Sequence, residues 1–338
     1  MATILLTGGL GFIGSHTAVE LIALGHEVII VDNLSNSRIE VLEGIEKISG
    51  VKPVFENKDV SNKLDIEQLC SKYKFDGCIH FAAYKAVGES VNKPLEYYQN
   101  NIASLVYLLQ VFRDKGFSNF IFSSSCTVYG QADEMPITED APVKPAESPY
   151  GNTKQIGEEI IQEAIKAHSD LNAISLRYFN PIGAHESSEI GELPLGVPLN
   201  LVPYITQTAA GIRKELKVFG NDYPTPDGTA IRDYIHVVDL AKAHVKALDR
   251  LMKHENNDPY EVFNLGTGKG SSVLEAINSF EKVSGEKLNW TFAPRRAGDV
   301  IEAYADTTKA NEVLGWKAEK NIEDCMRDAW RWQQKLGK

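Results

Sequence analysis

The chain opens on a short apolar run, residues 2–7, that stops in Gly8-Gly9-Leu10-Gly11-Phe12-Ile13-Gly14. Helical spacing then takes over, with Ala18, Leu21 and Ile22 on one face, and Gly25-His26 turns the chain into a second apolar run at 27–31. A strand–helix–strand unit with both strands apolar throughout is the start of a doubly wound parallel sheet. Further strands are expected at 53–56, 78–81 and 119–122, a sixth at 173–179, and a helix at 95–113. The expected class is α/β: a doubly wound parallel (Rossmann) sheet with a smaller mixed α/β domain.

Regular periodicity lapses after Asn180-Pro181, where Gly183, Gly191, Pro194, Gly196 and Pro198 crowd together. We therefore expect a first domain over 1–180 and a second over 181–338, with late segments folding back onto the first. The second holds a helix at 238–251, a strand at 261–264 and a final amphipathic helix carrying Trp330 and Trp332. A net charge of -11 argues against nucleic acid or an anionic membrane as partner. No apolar run is long enough to span a bilayer, and the first one lacks the basic flank of a signal peptide. Cys70, Cys78, Cys126 and Cys325 show neither metal-ligand spacing nor a dense disulfide framework, so no metal is expected and the thiols read as reduced, in a cytoplasmic setting.

Gly9-x-Gly11-x-x-Gly14 lies after a strand and before a helix, the context a dinucleotide-binding turn requires. Its backbone N–H groups can approach a pyrophosphate at the positive helix end. Asp32 ends the second strand 18 positions after Gly14, where a carboxylate accepts bonds from an adenosine ribose and repels a 2′-phosphate. NAD is thus expected over NADP, with Arg38 the nearby residue able to weaken that preference. Asp59 has two readings of equal weight: a partner for the adenine edge, or a cap for the next helix. His80 and His236, each inside an apolar run, read as satisfied buried histidines.

Tyr150 and Lys154 stand at i and i+4, on one face of a helix. An ammonium there can pull a phenol's pKa from about 10 toward neutrality, so that it takes a proton from an alcohol or sugar hydroxyl. Beside a dinucleotide loop, the pair implies oxidation of a hydroxyl with hydride passing to a nicotinamide.

The loop 7–14 and the Tyr150/Lys154 pair resemble the extended short-chain dehydrogenase/reductase superfamily. Within it, residues 80–90, 122–130 and 177–181 are similar to the UDP-glucose 4-epimerases. So are 219–224, 232–237 and Arg295-Arg296-Ala297-Gly298-Asp299. The resemblance implies Tyr150 as acid/base, Lys154 as the residue holding it and the nicotinamide ribose, and Ser125 as a hydroxyl bridging sugar and tyrosine. It puts Gly8, Gly11, Phe12, Ile13, Gly14, Asp32, Asn33, Asp59, Val60, Phe81, Ala82, Lys85, Asn100, Ser125, Tyr150, Lys154 and Phe179 at NAD-contacting positions. Lys85, Ser125, Tyr150, Asn180, Asn200, Leu201, Phe219, Arg232, Tyr234, Arg296, Asp299 and Ala303 fall at positions for the UDP-sugar. Two arginines on the second lobe suit a diphosphate; Arg295 reads as a solvated surface charge.

The implied reaction is interconversion of UDP-glucose and UDP-galactose, in galactose metabolism. Tyr150 takes the 4-hydroxyl proton, a 4-keto sugar turns over, and hydride returns to its other face from a tightly held NAD. Positive charge from Lys154 and nicotinamide is expected to lower the Tyr150 pKa. Substrate-restricted relatives carry a tyrosine where this chain has Ala303, so N-acetylhexosamine substrates are expected as well; a shift of one residue would instead put Tyr304 at that gate. A homodimer through the helices near 95–113 and 148–166 is also implied.

Three rivals share the fold. A 4,6-dehydratase needs an Asp-Glu acid pair beside the threonine after the serine-rich strand, and Cys126-Thr127-Val128 has none. A uronate-active enzyme would use Arg232 or Lys85 for the extra carboxylate. A non-catalytic NAD sensor would have no need of the intact Ser125, Tyr150 and Lys154 set.

Overall fold

The computed structural model describes residues 1–296 and 299–337. Ala297 and Gly298, inside the arginine–aspartate motif, and Lys338 lie outside the described residues. Six strands of the first half, β1 (Thr3–Thr7), β2 (Glu27–Asp32), β3 (Val54–Asn57), β4 (Gly77–His80), β5 (Asn119–Ser123) and β6 (Asn172–Tyr178), form a parallel sheet. Short strands follow: β7 (Asn180–Ile182), β8 (Leu216–Phe219), β9 (Ile231–Arg232) and β10 (Tyr234–His236). β11 (Tyr260–Leu265) then returns to pair in parallel with β6, completing the order 11-6-5-4-1-2-3. The strand expected at 261–264 is thus the seventh of the main sheet. Three short strands complete the set: β12 (Ser271–Ser272), β13 (Trp290–Ala293) and β14 (Glu302–Ala303).

The helices are α1 (Phe12–Ala23), α2 (Val41–Ser49), α3 (Lys63–Lys72), α4 (Val87–Asn92), α5 (Pro94–Lys115) and α6 (Pro149–Ala167). After them come α7 (Leu201–Ala209), α8 (Val237–Met252), α9 (Val273–Ser284), α10 (Thr308–Glu312) and α11 (Ile322–Leu336). Side chains alternate across a strand, and β1 shows the result. Ile4 and Leu6 enter the core under α1, α2 and α8, while Leu5 enters the opposite core under α3, α5 and α6. All three are fully buried, each contributing roughly 2 kcal/mol of apolar transfer free energy. This two-sided burial is why the middle of β1 and β2 reads as a continuous apolar run. A third core joins Val202 and Ile205 of α7, Ile277 and Phe280 of α9, and Met326 of α11 to Leu216 and Val218 of β8.

Strand order reverses between β1 and β4, and ligands of such sheets bind outside the carboxyl ends at that crevice. The glycine loop leaves β1 there, and the segment after β4 meets it. A β-carbon at Gly8 would lie 2.7 Å from the Ala82 nitrogen, so the two loops pack backbone to backbone.

Candidate active site

Gly8 has φ +67°, and a β-carbon at Gly14 would run into the Gly8 carbonyl. Both positions need glycine for the turn to close. α1 begins at Phe12 with Gly11 as its cap residue, no side-chain cap bond and no acidic residue in its first turn. The amide groups at that helix start are left for an anion. Asp32 Oδ1 accepts from Leu34 N at 2.9 Å and Ser37 Oγ at 2.7 Å, and Oδ2 accepts from Leu10 N at 3.2 Å, which ties the strand-end carboxylate to the glycine loop. Asn33 Nδ2 donates to Asp59 Oδ2 at 3.0 Å. Asp59 accepts from Ser61, whereas the cap of α3 is Asn62, so the helix-cap reading of Asp59 falls. Burial works against charge on Asp59, yet the bonds from Ser61 and Asn33 hold its carboxyl below the ordinary range. Val60 is buried against the core under α3 and α5.

Phe81 packs its ring 4.6 Å from His244, and Lys85 Nζ lies 5.9 Å from the centre of the Phe12 ring, which gathers the loops after β1 and β4. Asn100, on α5, donates to Asn101 at 3.0 Å. His80 shares a 2.8 Å hydrogen bond with Thr7, and His236 accepts from Val238 N while its other nitrogen lies 3.2 Å from Asp328. Both histidines are structural, as expected from their apolar surroundings.

Ser148 caps α6, accepting from Gly151 N at 3.1 Å, and Pro149 occupies the first turn. That start fixes Tyr150 and Lys154 on the buried face, 7% and 4% exposed. Lys154 Nζ donates to the Ser123 carbonyl at 2.7 Å, lying 4.9 Å from the Phe122 ring centre and 5.8 Å from that of Tyr150. The expected lowering of the Tyr150 pKa is not what the folded chain produces. Burial pushes the phenol well above its ordinary range, Tyr178 adds to this, and the Ser125 hydroxyl only partly opposes it. The lysine's nearest tie is to a carbonyl, and burial brings Lys154 itself down to about 8. Phe179, also buried, donates its backbone N–H to Leu265 O at 3.1 Å.

The second half supplies a polar wall. β7 carries Asn180 beside Tyr234 of β10, Asn200 caps α7 just before Leu201, and Phe219 ends β8 with 43% of its surface exposed. Arg296 stands 5.7 Å from the centre of the Phe219 ring and pairs with Asp299 at 2.8 Å; Arg232 Nη2 lies 3.8 Å from the same carboxylate. Arg295 is not a freely solvated charge: it bonds Asp222 at 2.7 Å and lies 4.1 Å from the Tyr223 ring centre. Ala303, on β14 opposite Arg232, packs beside the cluster of Val128, Tyr129 and Phe179. The Tyr304 ring instead lies against Gly270.

Comparison with known proteins follows the same lines. A family model described as GDP-mannose 4,6 dehydratase matches residues 5–329. The UDP-glucose 4-epimerase of Bacillus subtilis is 48% identical over 98% of this chain and 96% of its own. The chain belongs to that family and, within it, to the UDP-glucose 4-epimerases. Two solved epimerases superpose along nearly the whole chain. The UDP-glucose 4-epimerase from Stenotrophomonas maltophila, with bound NAD and formylated UDP-arabinopyranose, is 46% identical with a TM-score of 0.96, covering 99% of both chains. That from Bifidobacterium longum, in complex with NAD+ and UDP, is 47% identical with a TM-score of 0.95, covering 98% of both.

Two acidic residues of this epimerase site escaped the sequence. Glu192 Oε1 receives Lys85 at 3.3 Å and Asn200 at 2.5 Å, joining the two halves of the cleft; no local pattern marks it. Glu158 stands four residues beyond Lys154, but its partners lie on other elements, which no spacing reveals.

Proposed function

We propose that this protein interconverts UDP-glucose and UDP-galactose by oxidising the sugar at C4 and reducing it again from the opposite face. The carrying observation is the convergence of Tyr150, Lys154 and the 123–125 serine run at the carboxyl end of the sheet that bears the glycine loop. NAD fits this chain: the uncapped start of α1 suits a pyrophosphate, Asp32 a ribose, and Asp59 with Val60 the adenine. Phe81, Ala82, Lys85, Asn100, Lys154 and Phe179 would hold the remainder. When bound, NAD supplies the hydride acceptor and donor and the positive charge of its oxidised ring.

The chain's own residues manage the proton and the orientation. Tyr150 takes the 4-hydroxyl proton, through or beside Ser125, and gives it back after the 4-keto sugar has turned over. Burial of the phenol holds that proton on Tyr150 in the folded chain, so its acidification depends on the charge of the oxidised cofactor together with Lys154. Arg232 and Arg296 hold the diphosphate while the sugar turns, with Asp299 keeping both guanidinium groups near the cleft. Asn180, Asn200, Leu201, Phe219 and Tyr234 enclose the rest of the nucleotide. A 4,6-dehydration is disfavoured, since Thr127 has no Asp-Glu pair after it.

The small side chain of Ala303, next to the Phe179 cluster, supports UDP-GlcNAc and UDP-GalNAc as further substrates, and the Tyr304 ring lying against Gly270 favours Ala303 over Tyr304 as the gate. The protein acts in galactose metabolism in the cytoplasm, a setting suited to its four unpaired cysteines. It works as a homodimer, for which the apolar groove of Tyr98, Ile102, Val106, Tyr107 and Ile156 between α5 and α6 is the supporting surface. The test is incubation with UDP-galactose, and separately UDP-GalNAc, with no NAD added, the 4-epimers being followed by chromatography. Conversion of both is expected. Conversion of UDP-galactose alone removes the wider specificity, and conversion of neither, with NAD then supplied, removes the epimerase reading.

A further inference from the structure

Tyr150, Lys154 and Glu158 follow one another at i, i+4 and i+8 on the buried side of α6. Opposite them β5 runs into three consecutive serines, each engaged with a different one of these residues. The Ser123 carbonyl accepts from Lys154 at 2.7 Å, Ser124 Oγ donates to Glu158 Oε1 at 2.5 Å, and Ser125, whose Oγ accepts from Thr127 N at 3.2 Å, works against the rise in the Tyr150 pKa. The carboxylate is anchored from behind as well. Arg177 of β6 donates Nε to Oε1 at 2.9 Å and Nη2 to Oε2 at 2.6 Å. Its Nη1 donates to the Tyr129 hydroxyl at 3.0 Å, which in turn donates to Asn264 of β11 at 2.6 Å. A forked arginine fixes a carboxylate's orientation as well as its charge. Packing alone does not call for this, because Gly157 and Ile161 already seat the helix: a β-carbon at Gly157 would come within 2.7 Å of the Phe122 ring.

We propose that Glu158 is a positioning residue of the epimerase reaction: it holds Ser124 so that the neighbouring serines align Lys154 and Tyr150, and it keeps a negative charge behind Lys154 so that the ammonium stays charged. The inference rests on the epimerase reading above. The groups around Lys154 are Tyr150 and Glu158 of its own helix, Phe122 and Ser123 of β5, His80 of β4, and Tyr178 of β6, whose hydroxyl is 2.7 Å from Ser123 Oγ. Arg177 lies beyond Glu158. Burial, with Lys154 second, holds His80 neutral, its pKa lowered to about 3. Glu158 is the carboxylate in this set, and it works against the burial that brings Lys154 down.

The test compares the protein as purified with Glu158→Gln and with the double variant Glu158→Gln/Arg177→Met, which leaves no unpaired buried guanidinium. Steady-state epimerisation of UDP-galactose is measured across pH, with melting temperature alongside. We expect both variants to lose about tenfold or more in kcat with KM for UDP-galactose little changed. Removing the carboxylate favours neutral Lys154, so the alkaline limb of kcat should move to lower pH by on the order of one unit. The double variant should recover the melting temperature but not the kcat. Recovery of kcat and of the alkaline limb together with stability would make Glu158 a merely structural anchor and overturn the proposal. Absence of epimerisation in the unaltered protein, with NAD supplied, would overturn the reading beneath it too.

Discussion

At the scale of single residues, Tyr150 carries the sharpest demand. Its site buries the phenol and holds its pKa high, yet the proposed mechanism needs the phenolate. Replacing it with Phe removes the proposed acid/base group and leaves the arginines of the proposed diphosphate clamp untouched. Tyr150→Phe should lower kcat by about 10²–10⁴-fold with KM nearly unchanged, as read from initial rates on UDP-galactose. Near-normal turnover would mean that another group moves the proton. Ala303 makes a separate prediction. Ala303→Tyr should cost at least about tenfold in kcat/KM for UDP-GalNAc, from overpacking at the 2-acetamido group, while conversion of UDP-galactose persists. Equal loss of both would show that the ring disrupts the cleft instead of gating it. The sequence left Ala303 and Tyr304 as alternatives because a one-residue shift reverses which side chain faces the sugar. The pairing of β14 with β9, which sets Ala303 opposite Arg232, supports Ala303 as the gate.

At the scale of elements, what was legible is what local chemistry determines. The β1–loop–α1–β2 unit was readable because its apolar runs, its glycines and Asp32 all act within a few dozen residues of one another. β11 was legible as a strand, and late segments were expected to fold back onto the first domain, but its partner β6 was not, since that pairing depends on α8 packing across the sheet on the α1 side. Glu192 was invisible for a related reason: its meaning lies in Lys85 and Asn200, both remote in sequence or supplied by another element. Arg295 likewise reads as solvated until Asp222 and Tyr223 are brought beside it. The α5–α6 pair carries its own prediction. Val106→Asp puts a carboxylate into the apolar groove; sedimentation velocity should report a dimer for the unaltered protein and a monomer for the variant, and a monomeric unaltered protein would contradict the proposed homodimer. A variant that still sediments as a dimer would place the interface elsewhere.

At the scale of the whole molecule, three buried histidines tie stability to pH. Burial lowers His16 to about 3 against the opposing bond to the Phe12 carbonyl, burial with Lys154 second lowers His80 to about 3, and burial lowers His244 to about 4, against 6.5 for the free side chain. Between those values the unfolded chain binds protons that the folded chain refuses, so stability rises with pH through that window. Their contribution is intact above about pH 6.5 and drains away as pH falls toward 3–4. The melting temperature should therefore fall by several degrees, on the order of 5 °C, between about pH 7 and pH 5. A flat profile would mean that compensating groups dominate.

In the proposed reaction the hydrogen at C4 leaves and returns within one protein molecule. UDP-galactose deuterated at C4, incubated in ordinary water, tests it by mass spectrometry of the UDP-glucose formed. The product should keep its deuterium at C4, with no scrambling into unlabelled substrate added to the same reaction. Loss of the label to solvent would contradict hydride transfer and require a different chemistry at the same residues.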